Sequence, residues 1–262
     1  LIAMQILLDR MERPSVMVLI EEEYLNMANL NLNLAETEVT SLLAAKGFDL
    51  VDQSQVARVR ETEQQRLAMG GNDGAAQALG LQLGAQYVVL GKAIVQDNGE
   101  AMAGSGMKSM QSSMQLRVLQ TQSGKILGSV VKTGVAAHVS PVTGATQALQ
   151  SSASKAVDEY VVNAVTTAFQ DFVNNGVPLK VTVTNLASFS DASTLKSSLE
   201  QIDGVVSVKQ DGWILNGGLL MLDLRFRGTS NDLAMLLDGI QAGDSILQIA
   251  DLAPDRLSAK VK

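Results

Sequence analysis

A helix cannot run through Asn174-Asn-Gly-Val-Pro178. Glycine opens left-handed backbone space, and proline disfavours a helical residue before it. The motif therefore cuts the 262-residue chain into segments 1–176 and 177–262, each of domain size. Just before the cut, residues 146–173 place Leu149, Ala153, Ala156, Val157, Tyr160, Val161, Ala164, Val165, Ala168 and Phe172 on one helical face. That spacing predicts one long amphipathic helix.

After the cut the pattern alternates: strand 179–184, helix 191–202, strands 205–209 and 219–227, helix 231–240, strand 246–252. Asn216-Gly-Gly218 joins the two middle strands. The order is βαββαβ, a ferredoxin-like unit. Its apolar stripes, Leu195/Leu199/Ile202 and Leu233/Leu236/Leu237/Ile240, predict two helices on one sheet face.

The first segment reads as a mixed sheet with helices, so the whole chain is expected to be α+β, an α/β sandwich followed by the ferredoxin-like domain. Residues 15–20 are a continuous apolar run between Pro14 and three glutamates, the pattern of a buried strand. Helix 35–46 ends at Gly47, strand 48–51 follows, and Asp52 caps a helix carrying Val56 and Val59. A Gly-rich loop spans 69–74, helix 75–83 ends at Gly84, and 86–95 is a strand. Polar residues 96–106 lead into a hairpin whose first arm puts Met110, Ser112, Met114, Leu116 and Val118 on one face, with its turn at Thr121-Gln-Ser-Gly124. Residues 1–9 predict a short amphipathic packing helix, too short to span a bilayer.

Candidate chemistry is sparse. The chain has no cysteine and one histidine, carries a formal charge of −7, and is 3% aromatic. Thiolate sites and disulfides are excluded. A nucleic-acid surface is not expected on an acidic chain without a basic cluster. His138 sits at a strand end, where a solvated or hydrogen-bonded imidazole is expected, and zinc without Cys or a second His is not. Gly104-Ser-Gly-Met-Lys-Ser109 resembles a phosphate loop only superficially: Met107 precedes Lys108, and a strand pattern follows where a helix is required. It reads as a hairpin tip. Glu21, Glu22, Glu23, Glu36, Glu38, Asp49 and Asp52 could pair for acid–base work or hold a divalent cation, but their spacing is that of a solvated acidic rim. No Gly-x-Ser-x-Gly elbow occurs. The expectation is no catalytic residue, no metal and no cofactor. Two features suit an interface instead: Trp213, the sole tryptophan, which anchors either the sheet core or a partner, and the small-residue cluster Ser151, Ser152 and Ser154.

Several elements together resemble a known group. They are Val16-Met-Val-Leu-Ile20, Ala35-Glu-Thr-Glu38, Lys46-Gly-Phe-Asp-Leu-Val-Asp52, Gly84-Ala-Gln-Tyr-Val-Val-Leu-Gly91 and Thr121-Gln-Ser-Gly-Lys-Ile-Leu127, followed by the long helix. Residues 15–175 are similar to the curli-transport lipoprotein and TolB amino-terminal group and to the middle domain of flagellar assembly protein T. The resemblance implies a periplasmic or outer-membrane-associated envelope protein, without catalysis, in a ring-like or secretion- or flagellum-associated assembly. The family's lipidated cysteine is absent from the chain and is expected upstream of Leu1. No pair of long lipid-facing hairpins is present, which argues against a pore.

The resulting expectation is an envelope scaffold whose partners are copies of itself and other envelope proteins. The alternative is a periplasmic binding module for a small ligand or a peptidoglycan fragment.

Overall fold

A computed structural model describes residues 13–27, 33–59, 68, 70–242, 245–253 and 255–262. The helix expected at 1–9 lies outside the described residues. Both sheets are mixed and accompanied by helices, an α+β architecture. The chain divides into two compact units, residues 1–168 and 169–262.

The first unit is a five-stranded sheet in the order β2-β1-β3-β4-β5. Its strands are β1 (Ser15–Leu25), β2 (Asp49–Leu50), β3 (Tyr87–Glu100), β4 (Lys108–Gln120) and β5 (Lys125–His138). β1 runs parallel to both β2 and β3, while β3, β4 and β5 form an antiparallel meander. Parallel neighbours require crossover connections. Helix α1 (Leu34–Ala45) joins β1 to β2, and α2 (Gln53–Val59) and α3 (Asp73–Gln82) lie between β2 and β3.

Alternation then sorts the side chains. Met110, Ser112, Met114, Leu116 and Val118 are all buried, as their spacing predicts, on the face where the Ser112 hydroxyl donates to the Ala148 carbonyl of helix α4 (Pro141–Ala156) at 2.6 Å. Met17, Leu19, Val88, Leu90 and Leu119 point the other way, and pack with Val56, Ala75, Ala76 and Leu79 of α2 and α3.

The long helix begins earlier than its apolar stripe suggests. Ser140 caps α4 and Pro141 occupies its first turn, where a missing N–H costs nothing. It is also interrupted: a π-helical turn, Val157–Val161, separates α4 from α5 (Val162–Asn175). Gly176 stops α5 in a left-handed conformation (φ 65°), its N–H bonded to the Phe172 carbonyl at 2.8 Å. The division between units falls inside α5, and Phe172 packs against the second core.

The second unit contains β6 (Val177–Thr184), α6 (Phe189–Glu200), β7 (Val205–Ile214), β8 (Leu219–Phe226), α7 (Ser230–Leu237), β9 (Gln241–Ala242), β10 (Ser245–Ala253) and β11 (Arg256–Val261). The βαββαβ order is present, but the sheet order is β7-β8-β6-β11-β10-β9. In a plain ferredoxin-like sheet the fourth long strand, here β10, would pair antiparallel with β6. Instead β11, absent from the sequence reading, turns back and takes that place, parallel to β6. Its Leu257, Ala259 and Val261 complete the core with Leu195, Leu199, Leu233 and Leu237, which gives the insertion its physical reason. Both helices cover one sheet face.

Candidate interaction site

In the first unit, α2 and α3 cover one end of their sheet face among the described residues. Beyond them the cross-strand register sets out rows of side chains: Glu21, Lys92, Gln115 and Val131, then Glu23, Ile94, Ser113 and Thr133. Where the helical cover ends, a concavity of about 450 Å³ is lined by Glu21, Leu90, Lys92, Gln115, Arg117 and Ile126, with Gly70, Gly71, Gly91 and Ser129. Arg117 builds its wall. Its guanidinium donates to Asp73 at 2.9 Å and to the Ala68 carbonyl at 2.6 Å, tying the start of α3 to the sheet. Lys92 pairs with Glu23 at 2.7 Å, and that carboxylate holds its ammonium above the usual lysine range. Gly91 is required here, since a side chain would collide with Leu116 and the Gln115 carbonyl.

The outer strand β5 continues this surface with Val131 (58% exposed) and Val135 (66%). An open edge invites strand pairing, and lysine guards against it. Lys155 donates to the Thr133 carbonyl at 2.9 Å, and Lys132 pairs with Glu159. Face contacts are therefore favoured over β-augmentation.

The acidic rim is only partly a rim. Glu36 is buried at 6% and accepts the Ile20 N–H at 3.2 Å. One Glu22 oxygen accepts the Ala35 N–H at the start of α1, and the other accepts the Tyr24 hydroxyl at 2.6 Å. These two carboxylates fasten α1 to β1, whose pairing with β2 reaches only Val16. Asp52 caps α2 through Ser54 N–H at 2.8 Å, and that bond lowers its carboxyl below the ordinary range.

The remaining candidates are dispersed. His138 accepts the Ser140 N–H on Nδ1 at 2.9 Å, shaping the turn into α4. Gly104 donates to Glu100 at 2.9 Å, and Lys108 opens strand β4, so residues 101–107 form a hairpin tip. Ser152 is fully buried, its hydroxyl oxygen 2.8 Å from that of Ser112; Ser151 and Ser154 are half-buried, and Ser154 bonds Asp158 at 3.0 Å. The small residues of α4 thus meet the chain's own sheet, where Gly134 lets the Ala148 carbonyl approach. Trp213 pairs in register with buried Leu220, packs onto the second core half-buried, and meets the exposed Phe189 edge-on at 6.1 Å. Among the described residues no cluster of three His, Cys, Asp or Glu side chains could hold a metal, and no helix is long and apolar enough to cross a membrane. Sequence reasoning missed Lys92 and Arg117, although Gln111, Ser113, Gln115 and Arg117 are the polar half of the alternation that revealed β4.

Residues 18–133 match the family model described as peptidoglycan-synthase activator LpoB. The sequence resemblance had named other families for this segment. No curated protein matches the chain. Among solved structures, the LpoB C-terminal domain from Salmonella enterica is 20% identical, with 50% of this chain and 93% of that chain covered and a TM-score of 0.33. A lipoprotein from Neisseria meningitidis is 18% identical, covering 56% of this chain and 99% of its own, TM-score 0.35. The PelC dodecamer from Paraburkholderia phytofirmans is 14% identical, covering 56% and 86%, TM-score 0.34.

Proposed function

We propose that this chain is a non-catalytic regulator of the bacterial cell envelope that binds a peptidoglycan synthase and raises its activity from the periplasmic side. The observation that carries the reading is the match of residues 18–133 to the LpoB family model. That segment contains β3 and β4 whole and most of β1 and β5, and with them most of the sheet face that carries the concavity, Val135 lying just beyond it. A surface of this kind suits docking: it offers exposed valines, a pinned arginine and a lysine–glutamate pair. Ser151, Ser154 and Trp213 are secondary contact positions in the same proposal, as is assembly of several copies.

The test is direct. Purified chain is added to a peptidoglycan synthase of the same organism, and glycan-strand polymerisation and binding are measured. The expected result is saturable binding with faster polymerisation. Saturating chain that neither binds nor alters the rate would overturn the proposal.

A further inference from the structure

The second unit holds eleven carboxylates against eight cations, yet its charges are sorted by face. On the sheet face away from the helices, register aligns Lys209, Asp223, Lys180 and Arg256 in one cross-strand row. Lys260 and Arg225 stand on the same face, alternating with buried Ala259, Val261, Leu224 and Phe226. Asp251, opposite Ser258, is the second carboxylate there. Among the described residues that the register places on this face, five cations stand with Asp223 and Asp251. Among the described residues, Lys180, Lys209, Arg256 and Lys260 make no ion pair.

The helical layer has the opposite sign. Asp191 and Glu200 on α6, with Asp232 and Asp238 on and just after α7, outnumber Lys196. Between those acids Met235 is 72% exposed and Leu236 47%. The basic face offers a matching apolar element in Ile246, 52% exposed.

We infer that the basic sheet face of one copy docks on the acidic, methionine-bearing helical layer of a second copy. Two different faces of one domain then complement each other in charge and in apolar surface, which makes the contact heterologous. It propagates into a ring where the rotation closes and a filament where it does not. The inference rests on the multi-copy part of the proposed function and specifies its interface.

The test uses the full chain and light scattering after size exclusion. The wild type is expected to gain mass with concentration at low salt and to dissociate near 1 M salt, where screening shortens to about 3 Å. Lys180→Glu with Lys209→Glu weakens association at least about tenfold at unchanged circular dichroism and Tm. Met235→Lys with Glu200→Lys does the same through the other face. Mixed together, the two double variants retain one intact interface and give a dimer that does not grow. Association insensitive to both pairs of changes would overturn this interface while leaving assembly itself standing. A wild type monomeric at every concentration would overturn both. A monomer that pellets with purified peptidoglycan sacculi, and loses this with Lys180→Glu and Lys209→Glu, would reassign the basic face to an anionic polymer.

Discussion

The hydroxyl of Tyr160 occupies the space that a side chain on Gly128 would fill. Tyr160 belongs to the π-helical turn, and Gly128 (φ 143°) stands at the β-bulge between β4 and β5, so two irregularities interlock. Gly128→Ala should destabilise the first unit by about 1–3 kcal/mol through positive φ and overpacking. The Tyr160 hydroxyl oxygen is buried without a hydrogen-bond partner among the described residues. Tyr160→Phe should therefore hold or raise stability, by up to about 1 kcal/mol. Urea unfolding of both variants checks the pair; a strong loss in Tyr160→Phe would show that the hydroxyl is satisfied.

Glu36 spans from α1 to the Ile20 N–H. Glu36→Ala leaves that buried donor unpaired and should cost about 1–3 kcal/mol. Glu36→Gln keeps an acceptor and should cost less. Equal losses in chemical denaturation would indicate that packing, not acceptance, is the role of this side chain.

What the sequence made legible is local. The alternation from Met110 to Val118 located a buried strand, and Leu195/Leu199 with Leu233/Leu237 located two covering helices, because period alone determines those faces. Non-local choices stayed hidden. β11 is a short alternating run whose place beside β6 depends on the core it completes. The burial of Glu36 depends on a strand N–H exposed where β2 ends at Leu50. The π turn leaves no mark in the apolar stripe, which runs through Val157, Tyr160 and Val161 unbroken. Half the candidate surface was readable as the polar side of β4; the concavity was not, since Lys92 and Arg117 meet only after β3 and β4 pair.

Asp158 pairs with Lys46 at 2.6 Å, and that hydrogen bond is the chief cause lowering its carboxyl below the ordinary 3.8. A carboxyl depressed in the folded state stabilises above its unfolded value and loses that contribution as pH falls through the folded one. Asp158→Asn should therefore flatten the acid limb of stability below about pH 4. With Asp158 42% exposed, the effect at neutral pH should stay under about 1 kcal/mol. Urea midpoints measured from pH 2.5 to 7 decide it; curves that stay parallel would rule the pair out as a contributor.

The exposed valines of β5 separate docking from folding. Val131 and Val135 project from the sheet face opposite α4, so an aspartate at either position meets water and should change stability by no more than about 0.5 kcal/mol. In a bound complex the same carboxylate would be buried without a partner, a cost of several kcal/mol. Val131→Asp with Val135→Asp should therefore abolish synthase binding while Tm stays within a few degrees. Arg117→Ala should act differently. It frees Asp73 and the Ala68 carbonyl and loosens α3 from the sheet, so Tm and binding should fall together. If the valine variant binds normally, the partner seat lies off this face; if Arg117→Ala loses binding at unchanged Tm, the arginine contacts the partner itself rather than positioning α3.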